Sequence, residues 1–206
     1  MTGPRRSTAV AALAAVFTGC AGLVPEPPTT RAPDFHPRQI RQPAVFVRVV
    51  LEGSWSAADR AALRADYEGG LLEALNARGV LVRDARSVDA REGQPRPETA
   101  VARAREIGAD HAVIVDVRVA PETVRLCQDT RRPLRAQATV WHQDLHVLRA
   151  ADGATRLKIV DNPTLTAHDA EIDCDTPRDS KRRTPTETIA AALEALLRRL
   201  LESEAV

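Results

Sequence analysis

An α/β fold with a mixed sheet covered by helices is what this chain predicts, and three observations carry the prediction. Two β-branched runs, Ala44 to Leu51 and His111 to Val119, read as buried strands. Between them Leu63, Tyr67, Leu71 and Leu75 recur every fourth residue, the stripe of a helix with one buried face. Downstream, two long alternating segments meet at Ala151-Asp152-Gly153, a pair whose Asp-Gly favours a tight hairpin. The order β-α-β-α-β, then an antiparallel hairpin, then a C-terminal helix, makes one layered domain over residues 44–206.

Each element has its own signal. Ser56 is the expected N-cap of the first helix, with Asp59 in its first turn and Gly79 at its end. Gly69-Gly70 inside that helix costs about 1 kcal/mol per glycine against alanine, which predicts a kink or a close helix–sheet contact. Val80-Leu81-Val82 reads as a short second strand. A loop with Gly93, Pro95 and Pro97 leads to a second helix, Pro97 to Ile107, stopped by Gly108. The strand from His111 is expected at the sheet centre. Residues 134–149 and 155–166 form the hairpin, with Pro163 ending or bulging its second strand. Thr184-Pro185-Thr186-Glu187 is a capping box with Pro at N1, and Ile189, Leu193, Leu196, Leu197 and Leu200 form the buried stripe of the final helix. Residues 21–43 hold six prolines from Pro25 to Pro43 and no hydrophobic period, so 20–43 reads as a tether reaching roughly 70 Å.

The amino terminus gives an address. Arg5 and Arg6, an apolar stretch from Ala9 to Phe17 and no acid before Cys20 describe an export signal over residues 1–19. The stretch is too short for a bilayer span, which needs about 20 apolar residues. Val16-Phe17-Thr18-Gly19-Cys20 resembles the lipobox of bacterial lipoproteins. That resemblance implies lipidation of Cys20: a diacylglyceryl group on the sulfur and an acyl chain such as palmitate on the new amine. Phe17 and Thr18 depart from the favoured Leu-[Ala/Ser]; the other reading is a secreted protein whose signal happens to contain a cysteine. Ala21, where Asp would retain an inner-membrane lipoprotein, points to the outer membrane, periplasmic face.

Composition narrows the function. The chain has 29 basic and 28 acidic residues, and removing 1–19 takes only Arg5 and Arg6 from them. So near-neutral a chain offers no electrostatic case for nucleic acid. Phe35, Phe46, Trp55, Tyr67 and Trp141 are the aromatic residues beyond the signal, which argues against an aromatic-lined sugar or base site. Of three cysteines, lipidation takes Cys20 and leaves Cys127 and Cys174 to pair in an oxidising compartment; a reactive thiol pair or metal ligands are the alternatives. The pair would pin two polar segments, 120–133 and 167–183, read as loops, into a rigid edge where a partner docks.

Ala104 to Val117, containing Gly108-Ala109-Asp110 before an apolar strand, and the Val147-Leu148-Arg149-Ala150-Ala151-Asp152-Gly153 turn resemble the α/β domain shared by three groups. These are curli-secretion lipoproteins, the TolB amino-terminal domain and lipoprotein activators of penicillin-binding proteins. The resemblance spans most of 44–202 and implies a non-enzymatic envelope protein that binds partners or assembles into rings. The long membrane hairpins of the curli pore have no counterpart strands here, which favours an adaptor in envelope assembly or transport. No cofactor is implied.

The chemical alternative rests on His142, Asp144 and His146, which alternate on one strand face. Two imidazoles and a carboxylate could bind zinc with His168 or Asp169 as a fourth group, giving a small metal-dependent or hydrolytic periplasmic enzyme. The same alternation describes the solvated face of a strand whose Trp141, Leu145 and Val147 face the core. Ser54, Ser56, Ser87, Ser180 and Ser203 lie in no nucleophile-elbow context. Arg178, Lys181, Arg182 and Arg183 precede a helix, where cations oppose the dipole; they read as a solvated loop with Asp175 and Asp179 as partners, or as a peptidoglycan or lipid-phosphate contact. A self-assembling ring is a further alternative.

Overall fold

The computed structural model describes residues 29–127, 133–175 and 181–201. Cys20 and the expected signal lie outside them. The strands are β1 (Thr29–Arg31), β2 (Ala44–Leu51), β3 (Asp84–Ser87), β4 (His111–Leu126), β5 (Leu134–Arg149), β6 (Thr155–Ile159), β7 (Ala167–His168), β8 (Ala170–Glu171) and β9 (Lys181–Arg182). The helices are α1 (Ala57–Ala77), α2 (Pro97–Glu106) and α3 (Pro185–Leu201). The main sheet runs β1-β6-β5-β4-β2-β3, with β7 added to β5, while β8 and β9 pair separately. β2 is parallel to β3 and β4, and the remaining pairs are antiparallel. The mixed α/β sheet covered by helices is therefore the architecture of this chain.

α1 and α3 cover one face. Leu63, Tyr67, Leu71 and Leu75 of α1 and Ile189, Leu193, Leu196, Leu197 and Leu200 of α3 bury against Val45, Val47, Val49, Val113, Val115, Val117, Leu145 and Val147. Each such aliphatic side chain contributes about 1.5–3 kcal/mol on leaving water. Ser56 caps α1 by accepting the Asp59 N–H at 3.0 Å. Thr184 and Glu187 close the box on α3, the Thr184 N–H donating to Glu187 Oε2 at 2.7 Å. Polar residues are buried here too, Gln143 and Thr188 among them. Gln143 is 2 % exposed, accepts from the Tyr67 hydroxyl, and donates to Leu165 O and Ala192 O, both at 2.9 Å. It ties the sheet to both helices.

Five expectations are corrected. Residues 29–43 are not tether: β1 pairs with β6, and Phe35 and Ile40 are buried at 6 % and 3 %. Two apolar side chains among prolines suffice to dock the segment against α3. Val80-Leu81-Val82 is not the second strand. The Val80 N–H donates back to Leu75 O at 3.1 Å past Gly79 at φ +82, so Val80 belongs to the Schellman end of α1, and the ladder forms at Asp84–Ser87. The close contact at Gly70 is with α3, since a Cβ there would meet Leu193 Cδ1 at 2.8 Å, while nothing lies within 4 Å of one at Gly69. β6 stops at Ile159, before Asp161 turns at φ +50, and Pro163 starts a short 3-10 turn.

The fifth correction is the largest. β4 continues to Leu126 and pairs with β5 along its whole length, from His111↔Arg149 to Leu126↔Leu134. β2 ends opposite Val119, so residues 120–126, expected as loop, join residues 134–139, expected as strand, in a two-stranded arm beyond the main sheet. Its β5 edge is closed by single contacts instead of a continuous strand, the Asp169 N–H donating to Thr139 O at 3.2 Å. Asp169 Oδ1 accepts the Thr139 N–H at 2.8 Å, and Arg182 donates to Gln137 O at 3.0 Å. Cys127 and Cys174 are bonded, with Cα atoms 5.5 Å apart, tying the arm to the segment that carries β8. Under that segment Ala170 packs with Val124, Leu126, Ala136, Ala138 and Val140.

Candidate functional site

α2 covers only one end of the second sheet face, where Ala100, Val101 and Ala104 pack on Ala44, Phe46, Ala112, Ile114 and Leu148. Strand register arranges the rest of that face. Arg48 pairs with Asp116 across β2 and β4, and Asp116 with Asp144 across β4 and β5, so three charged side chains stand in one row. The next row is Val50, Arg118 and His142. A polar cleft opens here, of ≈ 250 Å³ on the side of Arg48, Arg118 and His142 and ≈ 250 Å³ on the side of His146, Lys158 and Pro95, with Gln94, Asp116 and Asp144 common to both.

Its groups hold one another. Arg48 grips Asp116 bidentately, Nε to Oδ1 at 2.7 Å and Nη2 to Oδ2 at 2.8 Å. Gln94 Nε2 donates to Asp116 Oδ2 at 2.7 Å. Hydrogen bonding to Asp116 raises the Arg48 pKa further, against the smaller opposing effect of burial. Asp144 accepts the Asp161 N–H at 2.9 Å. Burial raises its pKa above the usual carboxylate value; that N–H opposes the shift, while the Asp161 and Asp116 charges add to it. His142 Nε2 lies 2.9 Å from Glu122 Oε1, and Arg118 Nη2 lies 3.0 Å from the same oxygen. Burial pushes the Glu122 carboxyl up, but His142 and Arg118 together outweigh it and its pKa falls.

His142, Asp144 and His146 do share the face, yet they are not gathered as ligands. Among the described residues no three His, Cys, Asp or Glu side chains are placed to hold a metal ion. His142 turns to Glu122 and Asp144 to Asp161, while His168 stands opposite Val140 with Nδ1 buried and without a hydrogen-bond partner. Asp169 commits both oxygens to Thr139 and Arg182. Arg182 and Arg183 pair with Asp169 and Glu171 at 3.0 and 3.7 Å; Asp179 and Arg178 lie outside the described residues. Ser56 is a helix cap and the Ser87 hydroxyl donates to Glu68 at 2.6 Å; Ser180 and Ser203 also lie outside. Sequence reasoning passed over Arg48, Asp116 and Gln94. The parity of Asp116 and Arg118 within an apolar strand was the available signal for the charged face.

A helix spanning a membrane is not found: no helix among the described residues is long and apolar enough. No family model and no curated protein matches this chain. Among solved structures it is similar to the PelC dodecamer from Paraburkholderia phytofirmans, at 14 % identity over 85 % of this chain and 96 % of that one, TM-score 0.37. It is similar to hypothetical protein CT253 from Chlamydia trachomatis, at 13 % identity over 76 % and 95 %, TM-score 0.38. Lipoprotein GNA1162 from Neisseria meningitidis is similar at 10 % identity over 77 % and 98 %, TM-score 0.35. Likenesses at these scores carry no argument about function.

Proposed function

We propose that this chain is a cell-envelope lipoprotein, anchored through acyl chains on Cys20 at the periplasmic face of the outer membrane, whose α/β domain binds a protein partner in envelope assembly or transport without catalysis. The observation that carries the anchoring is the Gly19-Cys20 junction behind a basic, then apolar, amino terminus. The binding role is supported by the arm, where the Cys127–Cys174 bond and the Asp169 and Arg182 contacts brace a two-stranded ribbon that extends past the end of β2. The cleft supports the non-catalytic reading, because Asp116, His142 and Glu122 are engaged by neighbouring side chains. In this reading residues 1–19 are a signal, 20–28 a tether, and the domain begins at Thr29.

Fractionation tests the anchoring: the protein should pellet with outer membranes after a salt wash, and Cys20→Ser should release it. A Cys20→Ser chain that still pellets would overturn the lipid anchor. Crosslinking from the arm to one envelope protein, lost when residues 128–132 and 176–180 are deleted with Cys127 and Cys174 kept, tests the docking edge. One observation favours a second reading, a hydrolase built on Asp144. A carboxyl with a raised pKa in a cleft is a common mark of acid–base chemistry. Asp144→Asn with an intact fold and undiminished biological function would exclude it. A self-assembling ring predicts a single large mass for the delipidated domain by mass photometry.

A further inference from the structure

Docking of residues 29–43 shortens the leash. Nine residue steps separate Cys20 from Thr29, a reach of at most about 30 Å, so the surface around Thr29 is confined near any bilayer that holds Cys20. That surface is cationic. The Arg31 guanidinium lies 5.7 Å from the Phe35 ring centroid, and its Nη2 donates to Arg199 O at 3.5 Å, placing the amino-terminal segment against the end of α3. Arg38 and Arg41 follow, joined by Arg41 Nε donating to Arg38 O at 3.4 Å, and Arg198 is exposed on the last turn of α3. The neighbouring acids are taken elsewhere: Asp34 by Arg156 at 2.8 Å, Glu194 by Arg78 at 2.9 Å, and Asp110 by His111 and the Arg41 and Gln42 N–H groups. Arg31, Arg38, Arg41 and Arg198 have no acidic partner among the described residues; Glu202 and Glu204 lie outside them.

From the short leash and this charge we infer that the surface formed by Arg31, Arg38, Arg41 and the last turn of α3 rests on anionic phospholipid headgroups. The inference rests on acylation of Cys20 and adds an orientation to it. Arginines held within a Debye length of an anionic surface are attracted to it, and salt removes the attraction.

The test uses the chain from Cys20 onward, coupled through Cys20, its one thiol outside the Cys127–Cys174 bond, to a maleimide lipid in nanodiscs. Coupling imposes the attachment, so this test is independent of whether cells acylate Cys20, which the mass of the native protein reports separately. Nanodiscs carry a trace of gadolinium-chelate lipid, and amide broadening is read by NMR. In discs with phosphatidylglycerol the amides of 31–41 and 196–201 should broaden at least about threefold more than in zwitterionic discs, with the excess lost in roughly 0.5 M salt. Arg38→Glu/Arg41→Glu/Arg198→Glu, three exposed positions, should lose the excess with the rest of the spectrum unchanged. Broadening indifferent to anionic lipid, or centred on the arm, would overturn the inference. Capture of an acidic protein by the same arginines with no lipid-dependent broadening would instead make the surface a protein-docking one.

Discussion

Replacing Gln143 by leucine removes a polar link from the core while nearly conserving its volume. The side chain is 2 % exposed and joins the Tyr67 hydroxyl on α1, Leu165 O in the turn before β7 and Ala192 O on α3. The Tyr67 hydroxyl and Leu165 O would be left buried and unpaired, at about 1–3 kcal/mol each. Ala192 O keeps its own helical bond and adds less. Gln143→Leu should therefore cost about 2–6 kcal/mol, a large share of the roughly 5–15 kcal/mol that a domain commands. The sign of the second substitution is the sharper test. Tyr67→Phe alone orphans Gln143 Oε1 and should cost about 1–2 kcal/mol, but added to Gln143→Leu it removes an orphan and should restore about 1 kcal/mol. Urea unfolding with the disulfide intact, read by tryptophan emission, measures all four chains; Trp141 stacks on Tyr67 at 5.7 Å and reports on the site. A loss under about 1 kcal/mol for Gln143→Leu, or a double variant weaker than Gln143→Leu, would refute the account of this core.

Other outcomes rest on particular contacts. Gly69→Ala should stabilise by about 0.5–1 kcal/mol, because it is exposed, helical and has open space for a Cβ; Gly70→Val should destabilise against Leu193, and thermal melts of both settle the pair. Reducing Cys127–Cys174, which closes a separation of 47 residues, should cost about 3–4 kcal/mol in urea titrations with and without reductant. Asp144 contributes a pH dependence of known sign. Its folded pKa lies above the unfolded 3.8, so the folded state holds the proton more tightly, and the advantage present below pH 3.8 is lost as pH rises through the shifted value. Asp144→Asn should exceed the native chain in stability at pH 7 and lose that margin in acid; an equal margin at both ends would contradict the burial of Asp144.

The helices and the first long strand were legible because each buries one periodic stripe against a cap: Ser56 before Leu63 to Leu75, Thr184 before Ile189 to Leu200. The first strand of the arm was not. Glu122, Thr123 and Arg125 belong to a ribbon with one face in water, and alternation there is too weak to separate strand from loop, whereas its partner, residues 134–139, did read as strand. Val80 looked like strand for the opposite reason, being apolar in order to finish a helix. In the cleft, the shared face of His142, Asp144 and His146 follows from alternation alone. Asp116 had its parity within an apolar strand as a signal, but that Arg48 and Asp116 stand beside Asp144 follows only from register between strands distant in sequence. Gln143 had a readable signal, standing at core parity between Trp141 and Leu145.

Intact mass and amino-terminal peptide mapping of the protein purified from its own envelope test the central claim most directly. The expected species is a chain starting at Cys20 that carries a diacylglyceryl group and a further acyl chain, with Cys127 and Cys174 bonded. A chain that starts elsewhere, or starts at Cys20 with an unmodified thiol, would contradict it.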